Sequence, residues 1–402
     1  MKTLRILSLL LLITNCSKSN EINDSNTVIK NKHLISSELL RSHGSTILGV
    51  FASAFISLSD LSSPLKNIEA YKIKYKTTDL DGSEIEASGV VFVPQGDVEA
   101  PILSYQHGTI SSNDSAPSDI KILGSGEYTI MAVFSSFGFV VSMPDYIGYG
   151  ASVASEHPYE HGNSLGSTSY DMLKATKEFL ANEKIKTNNK LFLLGYSEGG
   201  YATLALQKHL ENKGDLSITH SLPGAGAYNK TEFSKDILSQ DIELPHMANY
   251  LWVVYTYNRI YKNLRRPWSD YVVSPYAEVL TNINSKDITQ INLDEFETNP
   301  QKLFMSDFLK NLNDKTDEAF LSALSDNDLL DWNPIAPITF YHGSEDQFVY
   351  PLNSISASAA LKEKGANVTY VSLEGKNHFT GSIEYFKRVR IKINKILSSN
   401  GF

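Results

Sequence analysis

The chain has 402 residues, of which 42% are hydrophobic and 20% are charged, proportions that are ordinary for a soluble globular protein. This length suits one large domain, or a domain with an insertion, and supplies enough apolar residues for a substantial core. The formal net charge of −9 argues against nucleic-acid binding, which needs clustered lysine and arginine residues. The sequence has no zinc-ligand spacing, phosphate-binding loop or dinucleotide fingerprint, so we expect neither a metal nor a cofactor.

Residues 1–15 have the pattern of a signal peptide. Lys2 and Arg5 precede an apolar stretch, residues 6–13, that is too short to span a bilayer. Cys16, the only cysteine of the chain, lies where the cleavage site belongs. The segment resembles a bacterial lipoprotein signal, which implies that Cys16 becomes the lipidated first residue and anchors the exported protein in a membrane. The alternative is an ordinary signal peptide with an incidental cysteine, which leads to a periplasmic or secreted protein.

Residues 16–33 are mostly polar and predict a flexible tether between the anchor and the folded part of the chain. Residues 34–63 mix apolar and small side chains at a spacing that is compatible with a helix. We expect this helix to pack on the core, since apolar stripes usually do. A helix at the substrate entrance is the alternative.

The following residues alternate between predicted strands and predicted helices. Residues 70–76 and 85–93 predict an antiparallel hairpin at the sheet edge, with its turn at 81–82. Apolar runs at 101–105 and 138–143 predict buried parallel strands. Helices are predicted over 126–137 and 171–180. Strands that alternate with helices predict an α/β fold with a doubly wound, mainly parallel sheet.

A Gly-x-Ser-x-Gly motif at 195–199 lies between a predicted strand, residues 191–194, and a predicted helix, residues 201–210. This context is typical of a nucleophile elbow, in which a strained turn exposes the serine at the carboxyl end of the sheet. Both glycines suit the crowded turn, where side chains would collide with the strand and the helix. The pattern therefore predicts that Ser197 is a nucleophile.

An acid and a histidine follow two later predicted strands. Asp346 comes after the apolar run 337–341, and His378 comes after the run 368–373. A doubly wound sheet has its active site at the carboxyl ends of its strands, so we expect both side chains near Ser197. In this arrangement His378 is the base and Asp346 orients it.

Other residues compete for the roles of base and acid. His107 and His342 each end an apolar strand and precede a glycine, which better suits a structural or oxyanion-loop role. Glu345 lies next to Asp346 in the same loop, and Asp145 follows another strand but precedes the serine in the chain. Chain order and placement favour Asp346 as the acid.

Residues 227–333 interrupt the alternation with a mostly helical, tyrosine-rich segment. A loop of this length without secondary structure would be unusual, so we interpret the segment as a cap, or lid, inserted over the active site. The alternative is a group of helices packed beside the sheet. The core then comprises residues 34–226 and 334–402, and its last helix, residues 383–397, has a basic face that we expect to be solvated.

These motifs resemble those of the α/β-hydrolases, and more closely those of the bacterial relatives of the secretory lipases. The segments that carry the resemblance are 105–109 (YQHGT), 145–150 (DYIGYG), 195–203 (GYSEGGYAT), 342–346 (HGSED) and 377–378 (NH). The order of serine, acid and histidine along the chain is also that of the α/β-hydrolases. The resemblance implies an oxyanion hole made of the Glu198 backbone N–H and a second N–H, that of Gly108 or Thr109.

The resemblance further implies a serine hydrolase of carboxylic esters, of lipase or esterase type, that forms an acyl-enzyme on Ser197 and acts on a small-molecule or lipid ester. A serine peptidase of the same fold is an alternative; no charged site for a peptide terminus is visible, but Glu198 keeps this alternative open. The third hypothesis is a non-catalytic binding protein on a hydrolase scaffold. Such proteins typically lose a member of the triad, whereas Ser197, Asp346 and His378 are all present.

Overall fold

A sheet of nine strands lies at the centre of the described part of the chain. This computed structural model describes residues 31–53, 64–97, 99–124, 126–283 and 296–399. The predicted signal peptide, Cys16 and most of the predicted tether therefore lie outside the described residues. The strands are β1 (Leu34–His43), β2 (Ile68–Thr78), β3 (Glu84–Pro94), β4 (Ala100–Gln106), β5 (Val140–Pro144), β6 (Thr187–Tyr196), β7 (His220–Gly224), β8 (Ile338–Gly343) and β9 (Val368–Leu373).

The strand order across the sheet is β1-β2-β3-β5-β4-β6-β7-β8-β9. The pairs β1–β2, β2–β3 and β3–β5 are antiparallel, and all later neighbours pair in parallel. All residues of β4 and β8 are buried, as expected for strands that are covered on both faces. The prediction of a mainly parallel α/β sheet is confirmed.

Helices cover both faces of this sheet. They are α1 (Ser45–Ala52), α2 (Glu127–Ser136), α3 (Gly162–Asn182), α4 (Glu198–Lys213), α5 (Lys230–Leu238), α6 (Met247–Ile260), α7 (Tyr276–Thr281), α8 (Pro300–Leu303), α9 (Ser306–Asn313), α10 (Glu318–Asp326), α11 (Leu352–Glu363) and α12 (His378–Ser399). α1, α2 and α12 pack on one face, and α3, α4 and α11 pack on the other. Along β6, Phe192 and Leu194 contact the first group, whereas Leu191 and Leu193 contact the second. This two-residue alternation buries both faces and gives the doubly wound arrangement.

The prediction of a helix over residues 34–63 is wrong for residues 34–43. Residues 34–43 form β1, which pairs antiparallel with β2 and forms the edge of the sheet, so the predicted hairpin β2–β3 is not at the edge. β1 alternates poorly because most of its residues are exposed at the sheet edge, and pairing with β2 fixes its conformation. α1 follows it, and Leu48 and Ala52 are buried in the core, as the core-packing interpretation expects. Residues 54–63 lie outside the described part of the chain.

The connection between β7 and β8, residues 225–337, contains helices α5–α10. It has its own apolar cluster, which includes the fully buried rings of Trp252 and Tyr257. Tyr159 before α3 and Val349 after β8 belong to the same cluster, so the insertion packs directly on the carboxyl edge of the sheet. The segment that the sequence analysis interprets as a cap therefore lies at this edge, and its role as a cap stays a prediction.

A buried ion pair also connects the insertion to the core. Lys230, at the start of α5, pairs with Glu160 in the loop before α3, and both side chains are almost fully buried. The Lys230 ammonium lies 3.6 Å from the centre of the Tyr201 ring, on α4.

Among the helices described in residues 31–399, none is both long enough and apolar enough to cross a bilayer.

Candidate active site

Ser197 lies at the sharp turn between β6 and α4. Its backbone has φ 59° and ψ −126°, a strained conformation for a residue that is not glycine. A Cβ atom at Gly195 would lie 2.3 Å from the Gly199 carbonyl oxygen, and one at Gly199 would lie 2.0 Å from the Gln106 carbonyl oxygen. Both contacts are with backbone that cannot move aside, so the turn requires glycine at these two positions. The geometry is that of a nucleophile elbow.

Ser197, His378 and Asp346 form one hydrogen-bonded row. The Ser197 Oγ atom lies 2.9 Å from His378 Nε2, and His378 Nδ1 lies 2.6 Å from Asp346 Oδ2. Asp346 follows β8, and His378 follows β9 as the first residue of α12. Because β8 and β9 are parallel neighbours, their carboxyl ends bring the two side chains together. The structure therefore brings Ser197, His378 and Asp346 together at the carboxyl edge of the sheet.

The surroundings of Asp346 keep its carboxyl group ionised. Its Oδ1 atom accepts hydrogen bonds from the Phe348 and Val349 amides, each 2.9 Å long. Although burial raises the pKa of this carboxyl, the hydrogen bonds and charges of His342 and His378 hold the pKa well below its ordinary value. A carboxylate only accepts, so His378 Nδ1 carries the proton and Nε2 is free to accept the hydrogen of the Ser197 hydroxyl.

The competing histidines have structural partners. His342 is fully buried, and its Nε2–H donates to the Val349 carbonyl oxygen over 2.6 Å while Nδ1 lies 2.7 Å from Ser354 Oγ. His107 is also buried, with its Nδ1 2.7 Å from the Gly108 carbonyl oxygen. Neither ring is hydrogen-bonded to Ser197. The structure therefore places both histidines as scaffold residues, in line with the expectation for them.

The competing acids lie away from His378. Glu345 is exposed at the surface. Asp145 is buried and accepts hydrogen bonds from the Ser118 amide, the Ser118 hydroxyl and the Ser88 hydroxyl at 2.8, 2.6 and 2.5 Å. These bonds fasten the loop after β5 to neighbouring loops and strands. Asp346 is thus the acid that reaches His378.

The backbone amide of Glu198, which follows Ser197 in the chain, and that of Thr109 have no acceptor among the described residues. The Gly108 amide, in contrast, donates to Glu127 Oε2 over 2.8 Å. Of the two donors that the sequence predicts in this loop, Gly108 has its amide occupied by Glu127, whereas the amide of Thr109 is not occupied by a described residue. Glu127 was not predicted from the sequence; it lies at the start of the helix predicted over 126–137, but nothing local indicates its contact with Gly108.

The carboxyl group of Glu198 is buried against His157. Its Oε1 atom lies 2.7 Å from His157 Nε2, and both side chains are almost fully buried. His157 Nδ1 donates to the Ile147 carbonyl oxygen over 2.9 Å, so both nitrogens of the ring have partners in the protein. Because the Glu198 carboxyl is buried, it is not available to bind the charged terminus of a peptide, as the alternative of a serine peptidase requires. No pattern in the sequence singles out His157.

An apolar cavity is lined mainly by residues of the insertion, together with residues of the loops before α3 and after β8. The Tyr159 hydroxyl on its wall accepts a hydrogen bond from Thr109 Oγ1 over 3.2 Å, and the Phe348 ring on its wall lies 4.9 Å from the His378 ring. Two wall residues of the cavity therefore contact Thr109 and His378. Its lining comprises Tyr159, Glu160, Ala227, Lys230, Phe233, Ser234, Ile237, Leu238, Asn249, Tyr250, Val253, Val254, Phe304, Phe320, Leu324, Phe348 and Val349.

Solved structures from other organisms share this fold. An inferred hydrolase of Legionella pneumophila is 24% identical, with a TM-score of 0.81 over 91% of this chain and 98% of that chain. The rice cell wall degrading esterase LipA of Xanthomonas oryzae is 22% identical, with a TM-score of 0.76 over 92% and 97%. Candida antarctica lipase A is 16% identical, with a TM-score of 0.64 over 87% and 78%. At these identities the similarity shows the fold alone.

A sequence comparison identifies the family. No curated protein sequence gives a significant match to the chain. The family model of the secretory lipases, however, matches residues 120–386. This match covers more than half of the chain and runs through the serine elbow, the helical insertion and the loops of Asp346 and His378. The chain therefore belongs to the secretory lipase family and has the α/β-hydrolase fold.

Proposed function

We propose that the protein hydrolyses carboxylic esters in two steps, through an acyl-enzyme on Ser197. The observation that carries this proposal is the continuous row of hydrogen bonds from Ser197 Oγ through His378 to Asp346. The secretory lipase family and the lipase and esterase among the structural neighbours support ester hydrolysis in general. The assignment of roles to individual residues rests on the geometry of the site.

In the first step, His378 Nε2 takes the hydroxyl proton as Ser197 Oγ attacks the ester carbonyl carbon. The carbonyl oxygen becomes an oxyanion, which the Glu198 and Thr109 amides stabilise by hydrogen bonds. The C–O bond to the alcohol then breaks, and His378 returns the proton to the leaving oxygen. Asp346 stabilises the imidazolium that exists between these two proton transfers.

In the second step, water attacks the acyl carbon of the ester bond to Ser197. His378 takes a proton from this water, the same two amides hold the second oxyanion, and the proton passes to Ser197 Oγ as the acid leaves. Each donor of such an oxyanion hole lowers the barrier by about 2.7–4 kcal/mol. The site needs no other reactant than water.

The proposed substrates are esters with an apolar acyl chain. The cavity beside the row is lined mainly by aromatic and aliphatic side chains, and it adjoins Phe348, which contacts His378. Transfer of an alkyl chain into such a cavity is favourable by about 0.8 kcal/mol per methylene group. We assign the insertion the role of a cap that supplies this cavity.

We also propose that the protein is exported and held at a membrane by a lipid on Cys16. Membership of a family of secretory lipases supports export. The lipid anchor rests on the sequence pattern at residues 1–16. A polar tether then keeps the catalytic part at a distance from the bilayer.

The test is hydrolysis of p-nitrophenyl esters with acyl chains from acetate to dodecanoate, measured beside aminoacyl p-nitroanilides. We expect ester turnover, no anilide turnover, and covalent labelling of Ser197 by a fluorophosphonate. Ser197→Ala should lose labelling and at least about 10³-fold in kcat while it unfolds at the temperature of the parent protein. A parent protein that neither turns over an ester nor takes the label would refute the proposal.

A further inference from the structure

Glu127 contacts the oxyanion loop beside the nucleophile. Its Oε2 atom accepts the Gly108 amide over 2.8 Å, and its Oε1 atom lies 3.2 Å from where a Cβ atom of Gly108 would be. The same Cβ position is 3.8 Å from Ser197 Cβ. The carboxyl group of Glu127, the first residue of α2, thus lies against Gly108, and Gly108 in turn lies beside the serine.

The two peptide groups of this loop are held by different partners. In the His107–Gly108 peptide, Glu127 accepts from the N–H, and the Tyr146 hydroxyl donates to the C=O over 3.0 Å. In the Gly108–Thr109 peptide, the C=O accepts from His107 Nδ1–H over 2.7 Å. The N–H and C=O of a trans peptide point in opposite directions, so this bond turns the Thr109 N–H away from His107. That N–H has no acceptor among the described residues.

Because Gly108 lies between the two peptide groups, their orientation depends on their hydrogen-bond partners. A glycine between the two peptide groups permits many combinations of φ and ψ, so its own conformation does not fix their orientations. The hydrogen bond to Glu127 holds the N–H of the first peptide group and thereby limits rotation at Gly108. We propose that Glu127 is a positioning residue that clamps the Gly108 peptide and so aims the Thr109 N–H at the oxyanion.

The hydrogen bond between Glu127 and the Gly108 amide does not require a negative charge on Glu127. Such a charge would destabilise a nearby oxyanion. Burial raises the pKa of the Glu127 carboxyl to about 7, against the opposing effect of its hydrogen bond with the Gly108 amide; the neighbouring Glu198 carboxyl adds to the rise. A carboxyl oxygen accepts the Gly108 amide in the ionised and in the neutral form. A neutral side chain of the same shape with an acceptor at this position should therefore preserve the function.

The test compares two variants of nearly the same size, Glu127→Gln and Glu127→Met. Glutamine keeps an acceptor for the Gly108 amide and methionine does not. With p-nitrophenyl butyrate we expect E127M to lose about 10²-fold in kcat, the effect of one misplaced oxyanion donor, while KM changes by less than about threefold. E127Q should recover kcat to within about fivefold of the parent protein. The affinity for butylboronic acid, which forms a tetrahedral adduct with the serine, should fall with E127M and recover with E127Q.

Glu318→Ala is the matched control, because Glu318 is an exposed acid in the first turn of α10 and its loss removes a similar favourable charge from a helix N-terminus. It should leave kcat and KM unchanged. Thermal unfolding shows whether each variant is folded, and E127A replaces E127M if the latter is not. The proposal is overturned if the variant without an acceptor keeps the parent kcat, if E127Q is as slow as E127M, or if only KM changes.

This inference rests on the proposed ester hydrolysis, and the two fail in different ways. An inactive parent protein that Ser197 probes do not label refutes the proposed function. An active parent protein whose E127M variant keeps its kcat refutes only the role of Glu127.

Discussion

Asp346 is stabilised as an anion mainly by hydrogen bonds rather than by a permanent positive charge. Two backbone amides bind one oxygen and the His378 ring binds the other. The side chain is only 3% exposed, so these bonds replace the water that a carboxylate would have in the unfolded chain. Its negative charge is therefore available to an imidazolium at His378 at any pH at which the fold persists.

This environment predicts how the stability contribution of Asp346 varies with pH. The folded pKa lies below the unfolded value of 3.8, so the contribution is complete well above pH 4 and is lost as the pH falls through the folded pKa. We expect the parent protein to exceed Asp346→Asn in free energy of unfolding by roughly 2–3 kcal/mol at pH 6–7, and by progressively less below pH 4. Urea unfolding of both proteins from pH 7 to pH 3 measures this difference; a difference that stays constant to pH 3 would contradict the assignment.

At the scale of helices and strands, the serine elbow was predictable because its signals are local. The strand, the two glycines and the helix stand next to one another in the sequence, and the loops of Asp346 and His378 each follow a recognisable apolar strand. β1 was not predictable because an exposed edge strand shows little alternation, and its pairing with β2 fixes its conformation. The contacts of Glu127 with Gly108 and of His157 with Glu198 were missed for a related reason: each joins segments that only the folded sheet brings together.

The packing of α6 against the cavity leads to a prediction about chain length. Val254 on α6 is 6% exposed and lines the cavity. Val254→Phe fills space that two or more methylene groups of a long acyl chain would occupy, so we expect kcat/KM for p-nitrophenyl dodecanoate to fall about tenfold or more. The value for p-nitrophenyl acetate should stay within about twofold.

Val279→Phe is the control for this change, since Val279 on α7 is 47% exposed and does not line the cavity. It should leave both esters unaffected. An equal loss for acetate and dodecanoate in V254F would mean that the cavity does not hold the acyl chain.

For the whole molecule, the proposed arrangement is a catalytic part that a polar tether holds near a membrane. The catalytic row belongs to the compact unit that begins at Asn31, whereas Cys16 precedes that unit in the chain. The attachment and the catalysis should therefore be separable. The family match begins at residue 120, after the predicted signal and tether, so it bears on the catalytic part and not on the anchor.

Cys16→Ser tests the anchor. When the full chain is expressed in a bacterial host, we expect the parent protein to incorporate radioactive palmitate and to sediment with membranes. The Ser variant should lose the label and move to the soluble exported fraction, with unchanged kcat for a short ester because Cys16 is remote from the catalytic row in the chain. A parent protein that takes up no lipid, or a Ser variant that stays with the membranes, would refute lipid attachment at Cys16.

The position of the insertion also has a consequence for the time at which the protein becomes active. β7 and β8 are neighbours in the sheet, yet residues 225–337 separate them in the chain. Contacts between such distant segments form slowly, because a long loop must close before they stabilise the fold. The strands up to β7 can assemble and position Ser197 before β8 and β9 have joined the sheet. Until then, Asp346 and His378, which follow these two strands, are not held near Ser197. Under the proposed mechanism, Ser197 is therefore an ordinary serine during synthesis, and it gains its reactivity only when β8 and β9 join the sheet.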